Sequence, residues 1–136
     1  IAALQGRFRR FAQLPGCLYL TAEVDGAPRG CLWFQNGPTR RTEHAGELGL
    51  LVARDWRRQG IGAALLRALF DWAEATRWIE IVGLTVLASN AAAIALYQRF
   101  GFVETGRVRG AARFDEGGLT DNILMSRAMK GTLDAD

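Results

Sequence analysis

The stretch RRQGIGAALL, residues 57–66, places two arginines, a glutamine and two glycines directly before an apolar run. Apolar residues recur from there at three- and four-residue spacing, which predicts a helix from residue 60 to about residue 77. The first turn of a helix presents unpaired backbone N–H groups and the positive end of the helix dipole. An anion can therefore bind at the start of this helix.

The residues of this helix start suit a diphosphate. Gly60 and Gly62 remove side chains where a diphosphate would lie against the backbone. Arg57 and Arg58 add positive charge and Gln59 adds an amide donor. No Gly-Lys-Ser/Thr follows and the third glycine of the dinucleotide fingerprint is absent, so neither of those nucleotide motifs is present. The alternative is that the two glycines simply begin a tightly packed helix.

The rest of the chain predicts one domain of mixed α/β class. Its 136 residues, of which 49% are hydrophobic, suffice for one core and are too few for two. The apolar patterns predict a hairpin of residues 18–24 and 30–34 turning at Asp25-Gly26, a loop at 35–46, strands at 47–52, 79–87, 102–108 and 119–125, and a second helix that Ser89 or Asn90 caps and Gly101 ends. This order predicts a mixed sheet covered by helices.

The N-terminal segment carries a different pattern. Leu4, Phe8 and Phe11 recur at helical spacing, and the sequence begins at Ile1 inside this pattern without a methionine. We therefore place the domain at residues 1–136 and leave open that its N-terminal strand and first helix are not included.

Charge and cysteine content bound the partners and the compartment. The 17 basic and 14 acidic residues give a net charge of +3, and Lys130 is the only lysine. This arginine bias suits an anionic partner, but a charge of +3 spread along the chain is too small to indicate nucleic-acid binding. Cys17 and Cys31 match neither a disulfide framework nor a zinc site. With no apolar run long enough for a membrane span and no secretion signal, we expect a cytoplasmic protein that binds no membrane and no metal.

Counts of catalytic residue types exclude other enzyme classes. Ser89 and Ser126 are the only serines, neither lies in Gly-x-Ser-x-Gly, and His44 is the only histidine. A serine hydrolase triad and a zinc ligand set are both disfavoured by these counts.

Two segments together resemble the GNAT superfamily of N-acyltransferases. ELGLLVARDWRRQGIGAALL, residues 47–66, is similar to the acyl-CoA segment with the signature Arg/Gln-x-x-Gly-x-Gly/Ala. LTVLASNAAAIALYQRFGFVETG, residues 84–106, resembles the second signature of the family, and Gly118, Asp121 and Met125 resemble its closing strand. The resemblance covers residues 18 to 129.

This resemblance implies the GNAT fold, a mixed and mostly antiparallel sheet in which two parallel strands splay apart at the centre. Acetyl-CoA as cosubstrate would lie between the strands that end at Val52 and Leu87, with its pantetheine arm paired to the backbone near Leu51. A backbone N–H near Leu50 or Leu51 would polarise the thioester carbonyl. The implied cofactor-binding residues are Leu51, Val52, Arg57, Arg58, Gln59, Gly60, Ile61, Gly62, Ala63, Asn90 and Ala93.

Tyr97 is the residue that the resemblance implies as the acid. It stands seven positions after Asn90, so both lie on one helix face about 10 Å apart along the axis. A phenol with a pKa of about 10 can give a proton or a hydrogen bond to a thiolate whose acid has a pKa of about 8.5. The alternative is a packed aromatic beside Leu96 and Phe100.

Glu47 is the candidate base, because a protonated amine must lose a proton before it attacks. Many relatives carry a glutamate on this strand. A slip of one residue or a bulge would turn Glu47 to the other face of the sheet, which leaves a structural or substrate-orienting role open.

The sequence thus predicts an N-acetyltransferase that acetylates a primary amine of a small molecule or a protein N-terminus by direct transfer in a ternary complex. A non-catalytic acyl-CoA-binding module of the same fold is the alternative, and retention of Tyr97 favours turnover. Relatives often dimerise, so a homodimer stays open.

Overall fold

The computed structural model describes residues 6–10 and 15–129. Within them lie strands β1 (Gly6–Arg10), β2 (Cys17–Val24), β3 (Ala27–Asn36), β4 (Ala45–Val52), β5 (Ile81–Leu87), β6 (Val103–Arg113) and β7 (Leu119–Ala128), helices α1 (Ile61–Ala75) and α2 (Ala91–Arg99), and a 3₁₀ turn at Arg54–Trp56. The strands form one sheet in the order β1-β2-β3-β4-β5-β7-β6, in which only β4 and β5 are parallel neighbours. The predicted mixed sheet with helices is confirmed.

The β2–β3 hairpin forms where the sequence predicts it. Asp25 and Gly26 have φ of 53° and 78°, the pair of positive angles that a tight primed turn needs. Asp25 is one of the residue types that tolerates this region, and Gly26 lacks the Cβ that would oppose it.

The loop predicted at 35–46 is shorter, because β3 continues to Asn36 and β4 begins at Ala45. Gln35 pairs with Glu47 and Asn36 with Gly46 across the two strands. Their polar side chains lie on an open part of the sheet, so no apolar pattern predicted a strand here. The backbone N–H and C=O groups of these residues are nevertheless paired in the β3–β4 ladder. β6 likewise extends beyond residue 108 as a mostly exposed edge strand.

The helical pattern predicted around Phe8 is wrong for the described part of this segment. Gly6–Arg10 is a strand that pairs with β2, with Phe8 opposite Ala22. Backbone pairing to the free edge of β2 outweighs the three- and four-residue apolar spacing. Leu4 and Phe11 lie outside the described residues.

The core lies between the sheet and its two helices. α1 buries Ile61, Leu65, Leu66, Leu69, Phe70 and Ala73. Trp72 meets Phe34 of β3 edge-on with ring centres 5.6 Å apart, and Phe70 stacks on Phe100, directly after α2, at 6.1 Å. Both helices therefore lie on one face of the sheet, here called the helix face. The other face, here called the open face, carries Tyr19, Trp33 and Glu47.

Neither described helix is long and apolar enough to cross a lipid bilayer.

Candidate active site

A fork in the centre of the sheet is the main feature of the candidate site. β4 and β5 pair only at Ala45 with Ile81, Gly46 with Val82 and Glu47 with Gly83. Beyond these pairs β4 stays attached to β3 and β5 to β7, up to Val52 and Leu87 respectively. A gap thus opens between two parallel strands, as predicted for the strands ending at these two residues. Backbone polar groups along the gap are available to an extended ligand.

The start of α1 lies just after the end of β4. Gly60 is the residue before the helix and has φ of 83°, a left-handed conformation that favours glycine. The first helical hydrogen bond runs from the Ala64 N–H to the Gly60 carbonyl, so the N–H groups of residues 61–63 precede it. No acidic residue occupies the first turn, and this end of the helix keeps its positive potential.

Arg57 and Arg58 flank this helix start and are both exposed. The Arg57 Nε–H donates to the Val52 carbonyl at 3.2 Å, which ties the helix approach to the end of β4. Arg58 adopts a positive φ of 63°, and Gln59 beside it is half-buried. The mouth of the gap therefore contains the helix start and the three residues before it: Arg57, Arg58, Gln59, Gly60, Ile61, Gly62 and Ala63.

The space at Gly62 is limited by neighbouring side chains. A Cβ added there would lie 3.2 Å from Leu96 Cδ2 and 3.6 Å from Leu50 Cδ2. Gly62 therefore makes room for α2 and β4, as the alternative of a tightly packed helix start expects. Its contact with a diphosphate stays a prediction, as does that of Gly60, whose glycine also suits a left-handed backbone.

Asn90 caps α2, which settles the choice between Ser89 and Asn90. Its side-chain Oδ1 accepts a hydrogen bond from the Ala93 N–H at 3.2 Å. Gly101 ends the helix region with φ of 88°. The contacts of Asn90 and Ala93 with a cosubstrate stay predictions.

Tyr97 is buried on α2, with 7% of its surface exposed. Its ring meets Phe102 edge-on at 5.6 Å, so part of its role is packing. Burial raises the pKa of the phenol above its usual value, which keeps Tyr97 protonated at neutral pH. Within the described residues, the Tyr97 hydroxyl makes no hydrogen bond. Every fully buried side-chain polar atom there does have a hydrogen-bond partner, so the Tyr97 hydroxyl retains access to solvent.

Glu47 lies on the open face, at the point where the strands part. The β3–β4 ladder is regular from Gly30 with Val52 to Asn36 with Gly46, so no bulge turns Glu47 away. An open cavity of about 620 Å³ lies there. Its lining comprises Trp33, Gln35, Asn36, Gly37, Thr42, Ala45, Gly46, Glu47, Ile81, Gly83, Leu84, Thr105, Leu124, Met125 and Ser126. We call this cavity the open-face pocket.

Comparison with known proteins matches this chain to one family. Residues 2–102 match the Acetyltransferase (GNAT) family. The chain is 31% identical over 118 residues to the L-amino acid N-acetyltransferase AaaT of Escherichia coli (strain K12), an alignment that covers 87% of this chain and 72% of that protein.

The chain belongs to the GNAT acetyltransferase family.

Two further relatives agree with this membership. The [ribosomal protein bS18]-alanine N-acetyltransferase of E. coli (strain K12) is 51% identical over 59 residues, which cover 40% of this chain and 36% of that protein. The crystal structure of a GNAT-family acetyltransferase from Streptococcus pneumoniae superposes with a TM-score of 0.82 at 29% identity, covering 86% of this chain and 70% of that one. The predicted GNAT fold and the predicted class of acyltransferase enzyme are confirmed.

Sequence reasoning did not identify Trp33 as a residue that lines the open-face pocket. Trp33 lies over Gly49, where an added Cβ would overlap the indole ring. An isolated glycine inside a strand signals such a close approach, and Gly49 in β4 carried that signal. The partner residue could not be named before the pairing of β3 with β4 was known.

Proposed function

We propose that this GNAT domain transfers an acetyl group from acetyl-CoA directly to a primary amine within a ternary complex. The observation that carries the proposal is the fork between β4 and β5, which stop pairing beyond Glu47 and Gly83. Glu47 stands at the fork on the open face. The start of α1 and Tyr97 lie on the helix face.

The donor side is formed by β4, α1 and α2. The N–H groups at the start of α1, with Arg57 and Arg58 beside them, would hold the diphosphate of acetyl-CoA. The unpaired edges of the gap would hold the extended pantetheine arm, near Leu51 and Val52. The acetyl group then lies towards the fork.

Acid and base chemistry can be divided between the two faces. On the open face, Glu47 accepts a proton from the amine, directly or through water, as the amine nitrogen bonds to the acetyl carbon. The carbon–sulfur bond breaks, and Tyr97 on the helix face donates a hydrogen bond or its proton to the departing sulfur. Burial raises the pKa of this phenol, so it is protonated at neutral pH and can donate.

The acceptor class follows from the open-face pocket and the relatives. By their names, the AaaT relative acts on L-amino acids and the other E. coli relative acts on an alanine of ribosomal protein bS18. Both acceptors present a primary amine. We propose the same for this chain, as a small molecule or a protein N-terminus.

Two measurements test the proposal in sequence. Calorimetric titration with acetyl-CoA is compared with desulfo-CoA and with ATP, and binding of acetyl-CoA without binding of ATP is expected. Release of CoA thiol is then measured with a panel of primary amines. A folded protein that binds acetyl-CoA but releases thiol with no amine would support a binding module instead.

A further inference from the structure

The open-face pocket has an unusual balance of charge. Glu47 is its only carboxylate, and no arginine, lysine or histidine is among its lining residues within the described chain. Its other polar side chains are amides and hydroxyls: Gln35, Asn36, Thr42, Thr105 and Ser126. A cation is therefore matched there, whereas a second anion would meet the charge of Glu47 without a counter-ion.

The basic side chains near the open-face pocket do not line it. Arg107 lies 2.9 Å from the Asp121 carboxylate, and Arg127, next to Ser126, stacks over the Phe70 ring at 4.0 Å on the helix face. Arg40 and Arg41 are exposed in the 37–44 loop and do not line the pocket. Within the described residues, none of these four cations lines the space beside Glu47.

An aromatic wall completes the pocket. Trp33 lies over Gly49, two residues beyond Glu47 on the same face of β4, and its ring stacks with Tyr19 at a centre distance of 6.3 Å. The region next to the carboxylate is thus bounded by an indole rather than by a second polar group. An uncharged or apolar substituent on the acceptor suits this wall.

We infer that the acceptor is a primary amine whose neighbouring carbon carries a neutral carbonyl group, as in a peptide N-terminus or an amino-acid amide, and not a free carboxylate. Glu47 holds the ammonium group, the Gln35 amide and the Ser126 hydroxyl pair with the carbonyl and amide of the acceptor, and Trp33 contacts its side chain. This inference rests on the proposed function and selects among its acceptors. Free amino acids are disfavoured because their carboxylate would stand near Glu47 with no basic side chain of the lining to pair with it.

The test uses acceptors matched in all but this one group. Alanine, methionine and phenylalanine are each compared with their amides, and kcat/KM is measured by release of CoA thiol. Rates are expressed per concentration of unprotonated amine, since the amine of an amide loses its proton more readily. We expect each amide to exceed its acid by at least about tenfold.

A pair of variants places a cation in the pocket. Thr105 is exposed on edge strand β6 and lines the pocket, so Thr105→Arg supplies a positive charge and Thr105→Met serves as the uncharged control. We expect Thr105→Arg to raise the ratio of acid to amide kcat/KM by about tenfold, and Thr105→Met to leave it unchanged.

The outcomes separate this inference from the function on which it rests. Free acids used as well as their amides, or no transfer to any of the six acceptors while another primary amine is acetylated, would overturn the inference alone. A folded protein that does not bind acetyl-CoA, or that releases thiol with no amine at all, would overturn the proposed function as well.

Discussion

Glu47 and Gly83 form the last residue pair that joins β4 to β5. Directly beyond this pair the two parallel strands separate, so the carboxylate stands where the sheet stops being continuous. Gly83 leaves the space beside it open, because an added Cβ there would meet Glu47 Cγ only at 4.0 Å. An acceptor in the open-face pocket can therefore approach the gap beside Glu47.

Replacing Glu47 by glutamine should lower kcat/KM for the amine by about 10²-fold at neutral pH, because the proton acceptor is lost. The rate of the variant should rise with pH until the amine deprotonates by itself, at a pKa between about 8 and 10. Glu74→Gln, on the exposed side of α1, is the matched control. A Glu47→Gln variant with the wild-type rate and pH profile would assign the carboxylate a structural role.

Replacing Tyr97 by phenylalanine should keep the edge contact with Phe102 and the affinity for acetyl-CoA, while kcat falls by about 10²-fold. Calorimetric titration and steady-state rates measure the two quantities separately. Because burial raises the pKa of Tyr97, the wild-type rate should show no decline from its ionisation between pH 7 and 9. If the variant turns over as fast as the wild type, Tyr97 is a packing residue only.

Replacing Gly60 by valine should abolish acetyl-CoA binding in a protein that still folds. The left-handed backbone opposes a β-branched residue by about 1–2 kcal/mol, and the side chain would stand at the start of α1. Gly26→Val is the matched control, since Gly26 has φ of 78° in the β2–β3 turn with no atom near its Cβ position. The melting temperature should fall by a similar amount in both variants, and only Gly60→Val should lose acetyl-CoA binding.

Asp121 should contribute to stability in a pH-dependent way. Its carboxylate accepts hydrogen bonds from the Gly110 N–H and from Arg107, each at 2.9 Å, and these bonds hold the pKa of Asp121 below its usual value. The unfolded chain therefore binds a proton at this group more readily than the folded one, so the contribution is present at neutral pH and is lost as the pH falls below about 4.

Urea unfolding of the Asp121→Asn variant measures this contribution. The variant should unfold at lower urea than the wild type at pH 7, and the difference should shrink at pH 3. Asp115→Asn, in the turn between β6 and β7, should behave like the wild type at both pH values. A difference of the same size at pH 3 would mean that charge is not its source.

Local chemistry made several elements predictable. The apolar spacing of α1, the Asp25-Gly26 turn and the Asn90 cap each act over a few residues, and the structure confirms all three. β1 and the part of β6 beyond residue 108 depend on backbone pairing with β2 and β7, so their own apolar patterns did not reveal them. The open-face pocket needed the β3–β4 register for the same reason, since Trp33 and Gly49 are far apart in sequence.

The contact between Gly62 and Leu96 has a mechanical consequence. It lies between the start of α1, which would hold the diphosphate, and the residue of α2 directly before Tyr97. Because Leu96 Cδ2 lies 3.2 Å from where a Cβ of residue 62 would stand, any larger residue there would push the two helices apart. Glycine at this position therefore sets the spacing between the start of α1 and Tyr97, the two ends between which the proposed acetyl-CoA would have to reach.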